Sequence, residues 1–320
     1  MKEISIREIE GFRIGNASDI KGGTGTTVIL CPEGAAAGVS VMGSGPASRE
    51  TDLLDPKKAA ESVYGIVLSG GSAYGLSAAD GVMKYLEERG IGFNVGQGVV
   101  PIVPSSCLFD LPVGDFNARP DSDMGYAACV DSETADYVPH GNLGAGTGAT
   151  IGKFLYPERY LKSGLGTYAV QTGDLKVGAI VAVNALGDIY DADTGRMIAG
   201  LLNEKGDGFQ STSELMWERA QTDFDVFKGN TTIGCIITNG RLTKSQCSKL
   251  AEMAHDGYAR AIRPVHTTAD GDSIYFLSRG DAPVYQDALG DLAAYVMAKA
   301  INDAVRSAAG AYGIPAACDI

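Results

Sequence analysis

The sequence is poor in the residues that build metal centres and disulfide frameworks. Its 320 residues include three histidines and six cysteines, and no two cysteines form a CxxC pair. His140, His255 and His266 fit no metal-ligand spacing and no local Ser/His/Asp arrangement, and His255 falls in a predicted helix as a structural or solvent-facing residue. Cys235 and Cys247 lie in apolar periodic segments, so we expect the cysteines to be small core residues. We therefore expect neither a metal nor another cofactor.

Basic residues are scarce relative to acidic ones. The chain has 26 Lys and Arg against 39 Asp and Glu, which gives a net charge of −13 and a pI of about 4.7. A negative field of this size argues against nucleic acid or an anionic membrane as a partner. A small neutral or cationic ligand is the better expectation.

Long hydrophobic runs are absent as well. No apolar stretch reaches the roughly 18 residues of a membrane-spanning helix, and the opening Met-Lys-Glu-Ile-Ser-Ile lacks the apolar core of a signal peptide. We therefore expect a cytoplasmic protein.

With 45% apolar and 20% charged residues the composition is globular, and we expect residues 1–320 to form a single large α/β domain.

Two glycine-rich stretches lack the signatures of nucleotide binding. The stretch 69–76 follows a predicted strand but contains no GxGxxG, so close packing of Gly70, Gly71 and Gly75 explains it at least as well as an anion site. The stretch 141–154 superficially resembles a P-loop, yet Phe154 follows Gly152-Lys153 where Ser or Thr is required. We expect no bound nucleotide.

What the sequence does contain is a set of strong strand and helix patterns in its second half. The strands are predicted at 177–185, 232–238 and 273–278, and the helices at 244–262, behind a Thr243 cap, and at 286–309. These elements predict a layered arrangement in which sheet faces pack together and helices cover the outside. Asn184 ends the first strand. It is either a turn-forming residue or a side-chain amide at the rim of the sheet, where the amide would donate a hydrogen bond to a developing oxyanion.

The segment Gly229-Asn230-Thr231-Thr232 runs directly into one of these strands. One interpretation is a tight turn, since Gly and Asn tolerate unusual backbone angles. The other is a scissile bond before Thr231, because a chain-terminal threonine can use its own α-amine as the base that activates its hydroxyl. The polar stretch 199–229 upstream suits cleavage, because proteins are cut most readily in exposed loops.

Asp270 and Asp272 form an acidic pair at the start of another predicted strand. Two residues apart in extended chain, they point to one face and titrate as a coupled pair. Such a pair can hold an ammonium group or orient a catalytic amine, whereas the further ligands of a cation loop are missing. A plain surface turn is the competing interpretation.

Three motifs, taken together and in this order, resemble the self-processing family of L-aminopeptidase/D-esterases and β-aminopeptidases. They are Val67-Leu68-Ser69-Gly70-Gly71-Ser72-Ala73-Tyr74-Gly75-Leu76, Gly144-Ala145-Gly146-Thr147-Gly148-Ala149 and Gly229-Asn230-Thr231-Thr232-Ile233-Gly234. The resemblance implies an αββα sandwich of two packed sheets covered by helices. It also implies self-cleavage into residues 1–230 and 231–320, with Thr231 as the N-terminal nucleophile, and a tetramer of processed heterodimers.

The resemblance extends to the other site residues. Asn184 corresponds to the oxyanion-hole amide of the family and Asp272 to its carboxylate, whereas Asp270 falls where other members carry a hydroxyl residue. The tyrosine that some members use has no counterpart where Gly152-Lys153 stands.

The implied function is an aminopeptidase or amidase that acts on small peptides, amino-acyl amides or esters with a free amine. Asp270 and Asp272 would bind this amine, so we expect N-acetylated compounds to be rejected. Two alternatives stay open at this point. One is an amidase for non-peptide amides such as pantetheine-like compounds, and the other is a binding protein of the same fold without turnover. The walls of the substrate pocket are expected in the loops between residues 98 and 140.

Overall fold

A computed structural model of the chain describes residues 1–222 and 229–320. The described residues contain five α-helices: α1 (Ala78–Glu87), α2 (Ser122–Asp131), α3 (Thr212–Glu218), α4 (Lys244–Ala261) and α5 (Gln286–Arg306). The strands of the first half are β1 (Lys2–Ile4), β2 (Arg13–Asp19), β3 (Thr24–Val41), β4 (Ala47–Arg49), β5 (Val63–Ser69), β6 (Phe93–Asn94), β7 (Val99–Val100) and β8 (Ser105–Cys107). Those of the second half are β9 (Thr150–Ile151), β10 (Leu161–Lys162), β11 (Leu165–Thr172), β12 (Leu175–Ala182), β13 (Asp188–Tyr190), β14 (Met197–Ala199), β15 (Ile233–Gly240), β16 (Ile262–Arg263) and β17 (Ser273–Ala282).

Strand β3 joins two sheets because it is long enough to belong to both. Its first half pairs with β2 and β5, and its second half pairs with β17. The register shifts between Leu30 and Ala35, where the strand passes from one sheet to the other. The resulting path runs β1-β11-β12-β15-β17-β3-β5-β8-β4, with β2 beside β3.

The two sheets pack face to face on side chains that alternate along their strands. Ile29 and Leu68 from one sheet meet Ile180, Cys235 and Tyr275 from the other in a single buried cluster. Apolar residues at every second position of a strand share one face, which is why these strands present a continuous inner surface.

Helices cover both outer faces. The pair α4 and α5 packs on the sheet that contains β12, β15 and β17, whereas α1 and α2 pack on the sheet that contains β5. Helix α4 begins at the predicted cap, where the Thr243 hydroxyl accepts from the Gln246 N–H and the Gln246 side chain accepts from the Thr243 N–H. The predicted αββα sandwich is therefore confirmed. None of the helices in the described part of the chain has the length and apolar character to cross a membrane.

Several local predictions can be compared with these elements. The stretch 98–139, predicted as loops with short ordered pieces, contains the ten-residue helix α2, whose Asp121 cap accepts from Met124 N. Gly70 and Gly75 do pack closely, since a Cβ on Gly75 would collide with the Gly70 carbonyl and one on Gly70 with the Asp110 carboxylate. Five of the six cysteines are buried free thiols. Within the predicted loop 199–229, residues 223–228 lie outside the described part of the chain.

Candidate active site

The predicted site residues meet because three strands end or begin at one edge of the sheet. Ala182, the last residue of β12, pairs with Ile233, the first of β15, and Ile233 pairs with Ser273, the first of β17. Strand β12 is antiparallel to β15, and β15 is parallel to β17. The residues that follow the end of β12 and those that precede the starts of β15 and β17 therefore lie at the same rim of the sheet. Asn184 and Thr231 lie there in contact, with Thr231 N donating to Asn184 O over 2.9 Å.

At this rim, two hydrogen-bond donors contact the carbonyl oxygen of the peptide bond between Asn230 and Thr231. The Thr231 hydroxyl donates to the carbonyl oxygen of Asn230, and the backbone N–H of Gly271 donates to the same oxygen over 2.9 Å. A Cβ on residue 271 would lie 2.6 Å from Gly45 O and 2.7 Å from Thr231 Oγ1, so glycine alone leaves room there. The arrangement places a hydroxyl group and a backbone N–H donor on one carbonyl oxygen, which are the kinds of group that nucleophilic attack and oxyanion stabilisation require.

The side chain of Asn184 is fully buried and lies against the residue before Asn230. Its Nδ2 donates to Phe109 O over 3.2 Å and to Gly229 O over 3.4 Å, and its Oδ1 accepts from Thr150 N over 3.1 Å. In the uncut chain it is Gly271 N, not Asn184 Nδ2, that donates to the Asn230 carbonyl. The role of Asn184 as an oxyanion donor remains a prediction.

Lys153 is a site residue that the sequence analysis missed. Its ammonium group lies 2.8 Å from Asn184 Oδ1, 3.1 Å from Asn184 O and 3.0 Å from Gly229 O, and the residue is 1% exposed. Burial lowers the pKa of Lys153 to about 7, against the opposing effect of nearby carboxylates, of which Asp270 is the strongest. The sequence does contain a signal for Lys153, because this lysine lies in an apolar, glycine-rich stretch. A lysine that is buried in such a stretch needs a specific set of hydrogen-bond acceptors.

The carboxylates of Asp270 and Asp272 lie in the site, where both accept hydrogen bonds from neighbouring residues. Asp270 Oδ2 accepts from the N–H and hydroxyl of Thr267 over 2.8 and 2.6 Å. Burial raises the pKa of Asp270 to about 6, the negative charge of Asp272 adds to the rise, and the Thr267 hydrogen bonds and Lys153 oppose it. Asp272 Oδ1 accepts from Thr232 N over 2.8 Å.

His266, for which the sequence suggested no role, is the second missed residue. Its Nδ1 lies 2.8 Å from Asp272 Oδ2, and its ring stacks on Tyr258 with the centroids 5.9 Å apart. His255 meets the His266 ring edge-on and is buried, which lowers the pKa of His255 to about 4 and excludes the solvent-facing alternative. His140 lies outside the site, 3.2 Å from Asp303.

A small cavity of about 180 Å³ opens next to Thr231. Its lining residues are Gly45, Ala47, Ser72, Cys107, Phe109, Asn230, Thr231, Thr268 and Ala269. Cys107 and Phe109 come from the loop region predicted to form the pocket walls. None of the lining residues carries a charge, and Asp270 and Asp272 are not among them. Both carboxylates are buried and accept hydrogen bonds from Thr267, Thr232 and His266. Their role in binding an ammonium group concerns the processed chain and stays a prediction.

Comparison with known proteins identifies the family to which the chain is similar. The family model of peptidase family S58 matches residues 5–315. An uncharacterized aminopeptidase of Mycobacterium leprae is 38% identical, with 98% of this chain and 93% of that protein covered. A 6-aminohexanoate-oligomer endohydrolase of Kocuria sp. is 29% identical, with 93% of this chain and 85% of that protein covered.

A solved structure shares the fold. The L-aminopeptidase D-Ala-esterase/amidase of Ochrobactrum anthropi, described as a variant of the Ntn hydrolase fold, superimposes with a TM-score of 0.71 at 17% identity. The match covers 95% of this chain and 86% of that one. At this identity the likeness concerns the fold alone, and it agrees with the sandwich described above.

Proposed function

The chain belongs to peptidase family S58 and is a hydrolase, and on this premise we propose that it is a self-processing N-terminal-nucleophile hydrolase with Thr231 as the nucleophile. The observation that carries the proposal is the pair of donors on the Asn230 carbonyl oxygen, the Thr231 hydroxyl and the Gly271 N–H. Membership in a peptidase family sets aside the alternative of a binding protein without turnover.

The first reaction is cleavage of the chain before Thr231. Thr231 Oγ1 attacks the carbonyl carbon of Asn230 while the Gly271 N–H stabilises the negative charge on the oxygen. The C–N bond breaks, the hydroxyl proton passes to the released amine of Thr231, and an ester joins Asn230 to Thr231 Oγ1. Water then hydrolyses the ester, which leaves a carboxylate on Asn230 and restores the Thr231 hydroxyl.

The second reaction is turnover of a substrate by the new N-terminus. The α-amine of Thr231 takes the hydroxyl proton as Oγ1 attacks the substrate carbonyl, and the amine later protonates the leaving group. An α-amine has an ordinary pKa near 8 and must be neutral to act as a base. Thr231 N and Lys153 Nζ both contact the carbonyl oxygen of Asn184, so the lysine charge lies close enough to lower the pKa of the amine.

The substrates proposed are small peptides, amino-acyl amides and esters, because a peptidase family implies peptide-type bonds. An amidase for non-peptide amides, such as pantetheine-like compounds, is the second candidate. The uncharged lining of the cavity beside Thr231 favours it, as does the relative that is named for hydrolysis of 6-aminohexanoate oligomers.

Turnover of amino-acyl p-nitroanilides tests the proposal. Purified wild-type protein is expected to release p-nitroaniline, and Thr231→Ala is expected to release none while melting at the wild-type temperature. Equal rates in the two proteins would remove Thr231 from the reaction.

A further inference from the structure

We propose that Ser72 is a specificity-determining residue, whose hydroxyl group binds a polar, uncharged side chain on the acyl residue of the substrate. The acyl residue is the one whose carbonyl carbon the nucleophile attacks. The inference rests on the proposed function of Thr231 and names the substrate class of that site. An asparaginyl amide should therefore react faster than a leucyl amide of nearly the same size and shape.

Ser72 reaches the cavity beside Thr231 because two strands end next to each other. Strands β5 and β8 pair in parallel, with Ser69 opposite Cys107 at their last residues. The segments that follow the two strands therefore lie at the same edge of the sheet. Ser72 from the first segment and Phe109 from the second both line the cavity of about 180 Å³.

The backbone of Ser72 has a conformation that serine rarely adopts. Its φ is +53°, in the left-handed region, directly after Gly71 with a φ of +80°. Gly71 N donates to Asp110 Oδ1 over 2.6 Å, which fixes the turn from one side. Ser72 N donates to Leu108 O over 2.9 Å, which fixes it from the other. Residues other than glycine that are kept in this region cluster at functional sites, since glycine would adopt the same angles without strain.

The Ser72 hydroxyl is free to bind a ligand. Within residues 1–222 and 229–320 it has no hydrogen-bond partner, and the same holds for the hydroxyl of Thr268, which also lines the cavity. Much of the remaining wall is apolar and comes from Ala47, Cys107, Phe109 and Ala269. A wall with hydroxyl groups and no charge satisfies a neutral polar side chain, whereas a charged one finds no counter-charge there.

The residue that precedes the proposed cut belongs to this class of side chain. In self-cleavage Asn230 is the acyl residue, it lines the same cavity, and its Nδ2 donates to Ala269 O over 3.4 Å. A carboxamide both donates and accepts, so in a substrate it can use the Ala269 carbonyl and the Ser72 hydroxyl together. A leucine side chain leaves both of these groups without a partner.

Two substrates of matched shape test the inference. L-asparagine p-nitroanilide and L-leucine p-nitroanilide are offered to processed protein, and the wild type is expected to favour the asparagine compound by about tenfold in kcat/KM. Ser72→Gly removes the hydroxyl together with the backbone strain, and this ratio should fall by about threefold or more. Ser72→Ala removes the hydroxyl but keeps the strained angle, and it should lower the ratio equally.

Ser77→Ala is the matched control. Ser77 lies five residues further along the same turn, but its hydroxyl donates to Tyr74 O over 3.0 Å and to Pro120 O over 3.2 Å, and the residue does not line the cavity. This variant is expected to keep the wild-type ratio. The inference is overturned by a wild type that does not favour the asparagine compound, by an unchanged ratio in Ser72→Gly, or by an equal change in Ser77→Ala.

Binding separates the inference from the proposed function. L-asparagine and L-leucine, the acyl products of the two reactions, are titrated calorimetrically into the purified wild type and Ser72→Gly. Tighter binding of asparagine than of leucine, with the difference lost in Ser72→Gly, would support the role of Ser72 even if no p-nitroaniline is released, a result that would remove the hydrolase proposal alone. Equal binding of the two amino acids, or no binding of asparagine, overturns the role of Ser72 whether or not turnover occurs.

Discussion

The backbone N–H of Gly271 donates to the carbonyl oxygen of Asn230 over 2.9 Å, and the Thr231 hydroxyl contacts the same oxygen. In the proposed self-cleavage, the attacking group and the group that would stabilise the resulting charge are thus both in place before the chain is cut. A backbone donor needs no reorganisation during reaction, which is the property that makes oxyanion holes effective.

Gly271→Ala tests this relationship. The added Cβ would lie 2.6 Å from Gly45 O and 2.7 Å from Thr231 Oγ1, so the loop must shift away from the Asn230 carbonyl. We expect self-cleavage to slow by about tenfold or more, up to the 10²–10³-fold seen when an oxyanion donor is lost. Gly98→Ala is the control, because a Cβ on Gly98 meets nothing within 4 Å. Equal cleavage rates on a time-resolved gel would argue against Gly271 as the donor.

Asn184→Ala tests the predicted oxyanion amide during turnover. Its kcat is expected to fall by on the order of 10²-fold or more if the amide donates to the substrate oxyanion. Asn302→Ala is matched to it, because Asn302 is also buried and donates to Tyr190 O over 2.8 Å, outside the site. That variant should lose stability but keep its kcat.

Asp272→Asn tests the carboxylate that accepts from Thr232 N and contacts His266 Nδ1. An amide carries one acceptor oxygen in place of two, so one of these contacts is lost and Thr231 is positioned less well. We expect a lower kcat with a near-normal melting temperature. Wild-type turnover in both Asp272→Asn and Asn184→Ala would remove the two residues from the site.

Lys153→Met is expected to move the acid limb of the pH profile of kcat/KM to higher pH. At low pH the charged lysine lowers the pKa of the Thr231 amine, so removing it lets the amine hold its proton to higher pH. Lys162→Met, which removes an equally buried lysine elsewhere, should leave the acid limb in place. An unmoved limb in Lys153→Met would show that the lysine does not set the pKa of the base.

Lys162 also predicts how stability depends on pH. Burial lowers its pKa from 10.5 to about 7, so between these values the folded chain binds fewer protons than the unfolded chain. The free energy of unfolding should therefore rise with pH across this window, by at most about 1.4 kcal/mol per pH unit for each such group. Urea unfolding of Thr231→Ala, with and without Lys162→Met, measures the slope. The second substitution should reduce it, and an unchanged slope would contradict the buried pKa.

Periodicity and capping were enough to predict the scaffold of the site. The apolar run after Thr231 became β15, the Thr243 cap opened α4, and Asn184 lies just past the end of β12. These features are local, because each depends on side chains a few residues apart. The motifs added the family and the sandwich, and the comparisons agree with both.

The missed parts of the site depend on contacts that are distant in sequence. Lys153 meets Asn184 and Gly229 across 31 and 76 positions, and the pattern around it invited comparison with a P-loop instead. Gly271 acts through a backbone N–H, which no side-chain pattern reveals. The sequence suggests an acidic pair beside Thr231, but only the fold shows that Thr267 and His266 already contact its carboxylates.

The intact mass of purified protein tests the central proposal most directly. After prolonged incubation, mass spectrometry of the wild type should show two chains that correspond to residues 1–230 and 231–320, the smaller beginning at Thr231. Thr231→Ala should remain whole at 33.2 kDa, and Thr231→Ser, which loses only a methyl group, should still be cleaved. A wild-type sample that stays entirely at 33.2 kDa would contradict the account.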